Sequence, residues 1–86
     1  MARVLMYCTS ACPFCQSAER LLVEKGASIE KVRVDLEPAR RREMMQKSGR
    51  QTVPQIWIGE RPIGGCDDLY ALDRKGGLDS LLKATP

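Results

Sequence analysis

The chain lacks any long hydrophobic segment. Its longest stretch without a charged residue, residues 4–18, is shorter than the ~20 residues that a membrane-spanning helix needs. The N-terminal apolar run, residues 4–7, is also shorter than the ~7–15-residue core of a signal peptide, and no cleavage signature follows it. We therefore predict a protein with neither a membrane span nor an export signal.

Length and cysteine content are also low. Eighty-six residues leave room for a single domain, which we expect to cover residues 1–86. Leucine, isoleucine, valine and phenylalanine contribute 19 residues, just above the level at which disorder is expected. Four cysteines in 86 residues are a smaller share than the ~8–10 % typical of a secreted disulfide scaffold. We therefore expect working thiols in the reducing cytoplasm.

Positive charge is concentrated in one segment. Five of the 14 basic residues, and only one of the 11 acidic residues, lie within residues 40–50. The segment has no interleaved aromatic side chains, and the isoelectric point of about 8.8 is low for a dedicated nucleic-acid-binding domain. We predict no nucleic-acid partner. A solvated helix surface and a site for a small acidic ligand both remain open.

The first half of the chain predicts a strand–helix–strand unit. Residues 4–7 form a short apolar run typical of a buried strand, and residues 29–35 show much of the alternation of a half-exposed strand. Between them, Pro13 is typical of a first helical turn and Gly26 of a helix end. The two strands should be parallel and joined by a right-handed crossover.

The second half predicts a helix, a hairpin and a final interrupted helix. Trp57, in the third strand, is expected to pack in the core. The order β-α-β-α-β-β-α predicts an α/β protein with a small four-stranded mixed sheet and helices on both faces, the thioredoxin architecture. The predicted elements are a helix at 38–49, a strand at 54–58, a turn at 59–62, a returning strand at 63–64, and helical residues 66–82 broken at 76–77.

The most informative motif is Cys12-Pro13-Phe14-Cys15. It lies where a strand gives way to a helix N-terminus, and the unpaired N–H groups and dipole of that terminus favour an anion. A thiolate is such an anion, so Cys12 is predicted to be the reactive thiol, with Cys15 near enough to close a disulfide. A C-x-x-C pair beside a β-α-β pattern indicates a thioredoxin-like redox site.

The cysteine spacing also matches other kinds of site. Cys8, Cys12 and Cys15 match the spacing of radical iron–sulfur enzymes, but that chemistry normally requires a far larger barrel. A zinc site that included Cys66 would lack a second C-x-x-C pair, and Pro13 favours a helix start. Buried structural thiols are a further alternative. We predict no metal, a packing role for Cys8, and either packing or a secondary redox role for Cys66.

Three motifs occur in order across essentially the whole chain: Cys12-Pro13-Phe14-Cys15, Thr52-Val53-Pro54 and Gly64-Gly65-Cys66-Asp67-Asp68-Leu69. In these motifs the chain resembles the glutaredoxins, and among them the bacterial glutaredoxin-3 type. The resemblance implies a glutathione-dependent dithiol enzyme that reduces protein disulfides and glutathione mixed disulfides. It also implies catalytic residues Cys12 and Cys15, which form the redox-active disulfide, with glutathione as electron donor and no tightly bound cofactor.

The resemblance further implies a glutathione site. The proline matching Pro54 is cis in the family, which leaves the backbone of Val53 free to pair with the ligand like an added strand. The helix start after Gly65 suits the γ-glutamyl carboxylate. Arg41 falls where the family places a partner for the glycyl carboxylate. The implied glutathione-binding residues are Phe14, Arg41, Thr52, Val53, Pro54, Cys66, Asp67 and Asp68.

One position departs from the family pattern. Thr9 stands three residues before the nucleophile, where glutaredoxins commonly have a lysine that adds positive charge to this end of the site. The expected partners are glutathione, disulfide-containing or glutathionylated proteins and, indirectly, glutathione reductase and NADPH, with the protein itself a cytoplasmic monomer. Two competing functions are an electron donor reduced by thioredoxin reductase and an iron–sulfur or zinc carrier. The glutathione-binding turn at Gly65 and Cys66 argues against the electron donor. The second thiol, at Cys15, argues against the metal carrier.

Overall fold

The computed structural model describes residues 3–84, which contain four strands and four helices. In chain order the elements are β1 (Arg3–Cys8), α1 (Pro13–Glu24), β2 (Ser28–Arg33), α2 (Pro38–Ser48), β3 (Gln55–Ile58), β4 (Arg61–Gly64), α3 (Cys66–Arg74) and α4 (Gly77–Ala84). The last helical segment is broken at residues 75–76, one residue earlier than the predicted 76–77, because Gly77 already begins α4.

The strands form one mixed sheet in the order β2-β1-β3-β4. β1 pairs in parallel with β2, so that Val4 lies beside Ile29. β1 pairs antiparallel with β3, and β3 antiparallel with β4. This topology confirms the predicted thioredoxin fold, in which α1 is the crossover between the two parallel strands.

Apolar side chains cover both faces of the sheet. Alternation along β1 sends Met6 toward α1 and Tyr7 toward α2. The first cluster contains Val4, Met6, Cys8, Cys12, Cys15, Ala18, Leu21, Leu22, Ile56, Ile58, Cys66, Leu69 and Leu78. The second contains Tyr7, Val32, Val34, Met44 and Trp57. The helices therefore lie on both faces, as predicted.

The α2 face is held by aromatic and charged groups as well as by apolar contact. The rings of Tyr7 and Trp57 meet edge to face with centroids 5.5 Å apart. The Tyr7 hydroxyl donates a hydrogen bond to Glu43 of α2, and Lys47 Nζ lies 4.7 Å from the centroid of the Trp57 ring. Trp57 is buried, which confirms its predicted place in the core.

The hairpin differs from its prediction. Residues 59–62 were expected to turn, but only Gly59 and Glu60 do so, and β4 already begins at Arg61. The left-handed φ of 61° at Gly59 makes this tight reversal possible. Pro62 can pair opposite Trp57 because β4 lies at the sheet edge, where a missing N–H leaves no neighbour unpaired.

Among residues 3–84, no helix is both long enough and apolar enough to cross a membrane.

Candidate active site

Cys12 is the N-cap residue of α1. Its sulfur accepts a hydrogen bond from the Cys15 N–H at 3.1 Å, and it lies 3.9 Å from the carbonyl oxygen of Val53. Pro13 occupies the first helical turn, where a missing N–H costs nothing. The N–H donor and the positive end of the helix dipole both stabilise a thiolate at this atom.

Cys15 lies one turn further along α1 and is almost completely buried, with 4 % of its surface exposed. Burial, and then its hydrogen bond with Cys12, raises the pKa of Cys15 to about 12, although a hydrogen bond with the Thr9 backbone lowers it. Cys15 is therefore a neutral thiol at physiological pH. All four cysteines are unpaired in this structure.

We expect this difference in environment to appear in alkylation. A pKa of about 12 leaves a thiolate fraction roughly three orders of magnitude below that of an ordinary thiol at pH 8. One equivalent of iodoacetamide should therefore modify Cys12 and spare Cys15, as read by peptide mass spectrometry. The same reaction in denaturant is the control, because unfolding removes the burial and should equalise the two thiols. Equal rates in the folded chain would contradict this account of Cys15.

A cavity of about 200 Å³ opens beside the motif. Seven of the eight side chains that the resemblance implied for glutathione line it, with Arg50 and Gly65 completing the wall. Phe14 is 62 % exposed, so it is a surface wall of this cavity and not a core residue. The lining residues are Phe14, Arg50, Thr52, Val53, Pro54, Gly65, Cys66, Asp67 and Asp68.

The wall after β3 is built from backbone. The Val53-Pro54 peptide bond is cis, as the family pattern implied. Gln55 is almost fully buried, and its side-chain amide donates hydrogen bonds to the carbonyl oxygen of Thr52 at 3.0 Å and to the Thr52 hydroxyl at 3.3 Å. These contacts hold residues 52–54 against the sheet beside Cys12.

The opposite wall is the start of α3. Asp68 accepts a hydrogen bond from the Gly65 N–H at 2.9 Å, which caps the start of α3, and it forms an ion pair with Arg50 at 3.2 Å. These two contacts, the Gly65 N–H foremost, lower the pKa of Asp68. Its carboxylate is therefore already engaged, whereas Asp67 also faces the cavity and makes no such contact to Gly65 or Arg50.

Arg41 lies outside this lining. Its guanidinium donates to the carbonyl oxygen of Gln51 at 3.4 Å, next to Thr52. The cation that does line the cavity is Arg50, which the sequence analysis did not single out. Its position two residues before the Thr52-Val53-Pro54 motif was the available signal.

Cys66 is the cysteine that lines this cavity. It is 8 % exposed, and its pKa is raised first by burial, then by the Asp67 carboxylate and by Cys12. It is therefore a protonated neighbour of the reactive sulfur. Within residues 3–84, no three histidine, cysteine or acidic side chains are grouped so that they could hold a metal ion.

Comparison with known proteins agrees with this geometry. The glutaredoxin family model matches residues 4–63. Glutaredoxin 3 of Escherichia coli is 54% identical over 83 residues, which cover 96% of this chain and 100% of the relative. A glutaredoxin of Pseudomonas aeruginosa is 50% identical over 84 residues, covering 98% and 100% of the two chains.

Solved structures share the fold over nearly the whole chain. The solution structure of a Brucella melitensis glutaredoxin superposes with a TM-score of 0.84 at 49% identity and covers 96% of this chain and 90% of that one. A crystal structure of a buckwheat glutaredoxin–glutathione complex gives a TM-score of 0.89 at 28% identity, covering 96% and 78%. With the Cys12 and Cys15 thiols at a helix start, the chain belongs to the glutaredoxin family of thiol oxidoreductases.

Proposed function

We propose that this chain is a dithiol glutathione-disulfide oxidoreductase that acts on glutathione mixed disulfides and on protein disulfides. The observation that carries the proposal is the position of the Cys12 sulfur, which accepts the Cys15 N–H at the start of α1 beside the open cavity. The buckwheat relative was solved with glutathione, which supports the same ligand here.

The reaction begins with attack by the Cys12 thiolate on one sulfur of the substrate disulfide. The S–S bond of the substrate breaks, one product leaves as a thiol after taking a proton from water, and Cys12 keeps the other half as a mixed disulfide. No external oxidant or reductant is consumed in this exchange. The N–H donor on the Cys12 sulfur also makes it a good leaving group in the next step.

Two routes discharge the mixed disulfide. A second glutathione thiolate can attack its glutathione sulfur, which releases glutathione disulfide and restores the Cys12 thiolate. Alternatively, Cys15 loses its proton and attacks the Cys12 sulfur; the mixed-disulfide S–S bond breaks, its other half leaves as a thiol, and the two protein thiols form a disulfide. Because the pKa of Cys15 is raised to about 12, the second route needs proton removal during attack. Glutathione reductase and NADPH would return glutathione disulfide to the thiol.

We orient glutathione in the cavity according to the charged and hydrogen-bonding groups of its walls. The backbone of Val53 would pair with the cysteinyl part, and the free N–H groups at the start of α3 would receive the γ-glutamyl carboxylate. Asp67 would face the ligand ammonium, because Asp68 is occupied by Gly65 and Arg50. Arg50 would meet the glycyl carboxylate together with the more distant Arg41.

Removal of Arg50 should therefore weaken glutathione binding. An exposed charge-assisted contact corresponds to roughly a two- to fivefold change in affinity, so Arg50→Ala should raise the glutathione KM by that factor. The resemblance assigns the same contact to Arg41, and Arg41→Ala should raise KM less. Arg42→Ala is the matched control for net charge. Equal glutathione KM values in all three variants would show that the ligand responds to the overall positive charge of this region and not to a contact with one arginine.

Turnover with two reductases tests the proposed electron donor. The chain should reduce a glutathione mixed disulfide in an NADPH-coupled assay that contains glutathione and glutathione reductase. It should remain inactive when thioredoxin reductase replaces both. Activity with thioredoxin reductase alone would instead favour the competing donor function.

We also propose that the protein works in the cytoplasm as a monomer, on disulfide-containing or glutathionylated proteins. The reducing cytoplasm would keep the four thiols in the unpaired state that the chemistry needs.

A further inference from the structure

The fourth thiol, Cys8, has no part in the chemistry above. It is the last residue of β1, is 3 % exposed, and faces α1 within the same buried cluster as Cys12 and Cys15. The alternation along β1 places it on the same face of the sheet as Met6. Cys8 therefore lies beneath the N-terminal turn of the active-site helix.

The backbone brings Cys8 close to Cys15. Both residues belong to the buried cluster between β1 and α1. The Thr9 backbone, directly after Cys8, lowers the pKa of the Cys15 thiol, and the Cys8 thiol raises it, so both act on Cys15 at short range. A disulfide between Cys8 and Cys15 requires Cα atoms about 4.4–6.8 Å apart.

Both thiols line a second cavity of about 370 Å³, which Cys12 and Cys66 do not line. Lys31 and Arg33 form part of its wall, and their charges favour a Cys8 thiolate. Burial, together with the carboxylates of Glu19 and Asp35, opposes them, and the pKa of Cys8 is raised overall. Cys8 is thus a protonated thiol, and the cavity beside it has room for water to accept its proton.

We propose that Cys8 and Cys15 form a second disulfide of this protein, reached from the active-site disulfide by internal exchange. This proposal rests on the proposed dithiol function. Cys8 loses its proton to water in the cavity and attacks the Cys15 sulfur of the disulfide between Cys12 and Cys15. The bond between Cys8 and Cys15 forms as the old S–S bond breaks, and Cys12 leaves as a thiolate. The number of disulfides is unchanged, so no oxidant is needed.

The exchange has a functional consequence. Cys12 is released into the position where the Cys15 N–H and the helix start stabilise its thiolate, which favours the step. Cys15 is then unavailable to attack a mixed disulfide on Cys12. An oxidised chain of this kind still has a free nucleophile for the glutathione route, but it has lost the two-thiol route to protein disulfides.

The test uses a double variant that retains only Cys8 and Cys15, namely Cys12→Ser with Cys66→Ser. After treatment with diamide, the monomer should lose the mass of two hydrogens and both of its free thiols. The matched control, Cys8→Ala with Cys12→Ser, retains Cys15 and Cys66 and should keep both thiols. A Cys12→Ser, Cys66→Ser chain that keeps both thiols after oxidation would overturn the proposal. Circular dichroism checks the fold of each variant, and the first variant leaves Cys8 untouched.

Wild-type protein supplies the second measurement. It is equilibrated with glutathione disulfide, quenched in acid, alkylated with N-ethylmaleimide in denaturant, reduced and alkylated again with iodoacetamide. Maleimide marks thiols that were free, and iodoacetamide marks thiols that were in a disulfide. We expect some chains with maleimide on Cys12 and iodoacetamide on Cys8, and others with maleimide on Cys8 and iodoacetamide on Cys12. If only the latter appear, the second disulfide is overturned and the proposed function stands; if Cys15 carries iodoacetamide in no chain, both are contradicted.

Discussion

The Cys12→Ser variant is expected to reduce glutathione mixed disulfides no faster than the uncatalysed exchange. Cys12 is the N-cap residue of α1, and its sulfur accepts the Cys15 N–H at 3.1 Å. The hydroxyl of serine cannot form the mixed disulfide. Cys15 and Cys66 cannot replace it, because burial raises the pKa of each and keeps both protonated. Initial rates in the coupled glutathione reductase assay measure the loss.

Cys15→Ser is the matched variant for that experiment. It removes one sulfur from the same motif but leaves the Cys15 backbone N–H that bonds to Cys12. Reduction of glutathione mixed disulfides needs one protein thiol, so this variant should keep a rate of the same order as the wild type. Reduction of a two-thiol protein disulfide should fall sharply. Substantial mixed-disulfide turnover by Cys12→Ser would remove the assignment of the nucleophile.

Gly64→Ala is expected to cause the largest loss of stability at the glutathione site. Gly64 has a φ of 109°, a conformation that costs an L residue about 1–3 kcal/mol. An added Cβ would overlap the carboxylate of Asp68 and lie 2.9 Å from its Cγ. Asp68 would have to leave the Gly65 N–H, which adds the loss of a helix cap, so the total should reach about 2–4 kcal/mol. Urea unfolding measures this change, and the glutathione KM should rise with it.

Gly49→Ala separates the cost of the backbone conformation from the cost of the overlap with Asp68. Gly49 ends α2 with a φ of 73°, but a Cβ there meets nothing within 4 Å. Its substitution should cost only the backbone term of about 1 kcal/mol and leave the glutathione KM unchanged. Equal losses of stability in the two variants would show that the overlap with Asp68 has no consequence.

The fold was predictable because its signals are local. The apolar run at residues 4–7 gave β1, the prolines at 13 and 38 marked two helix starts, and glycine marked the ends of both helices. The hairpin was the exception. Pro62 was interpreted as part of a turn, but whether a proline fits a strand depends on which strand is at the sheet edge, and that is set by the whole topology.

The residues of the candidate site that belong to sequence motifs were predictable. Those that enter the site only through the direction of a long side chain were less predictable. The three motifs placed Cys12, Val53 and Asp67 together at one end of the sheet, as the structure has them. Arg50 and Arg41 are both near that end in the sequence. Only the orientation of α2 and the ion pair with Asp68 determine that Arg50 lines the cavity.

The mass of the Cys15→Ser chain, after incubation with a glutathione mixed disulfide and no reductant, tests the central claim most directly. That claim is that Cys12 attacks the substrate and carries glutathione. We predict one glutathione per chain, mapped by peptide sequencing to Cys12 and removed by added glutathione with release of glutathione disulfide. A chain that remains unmodified, or that carries its glutathione on Cys66 or Cys8, would contradict the account.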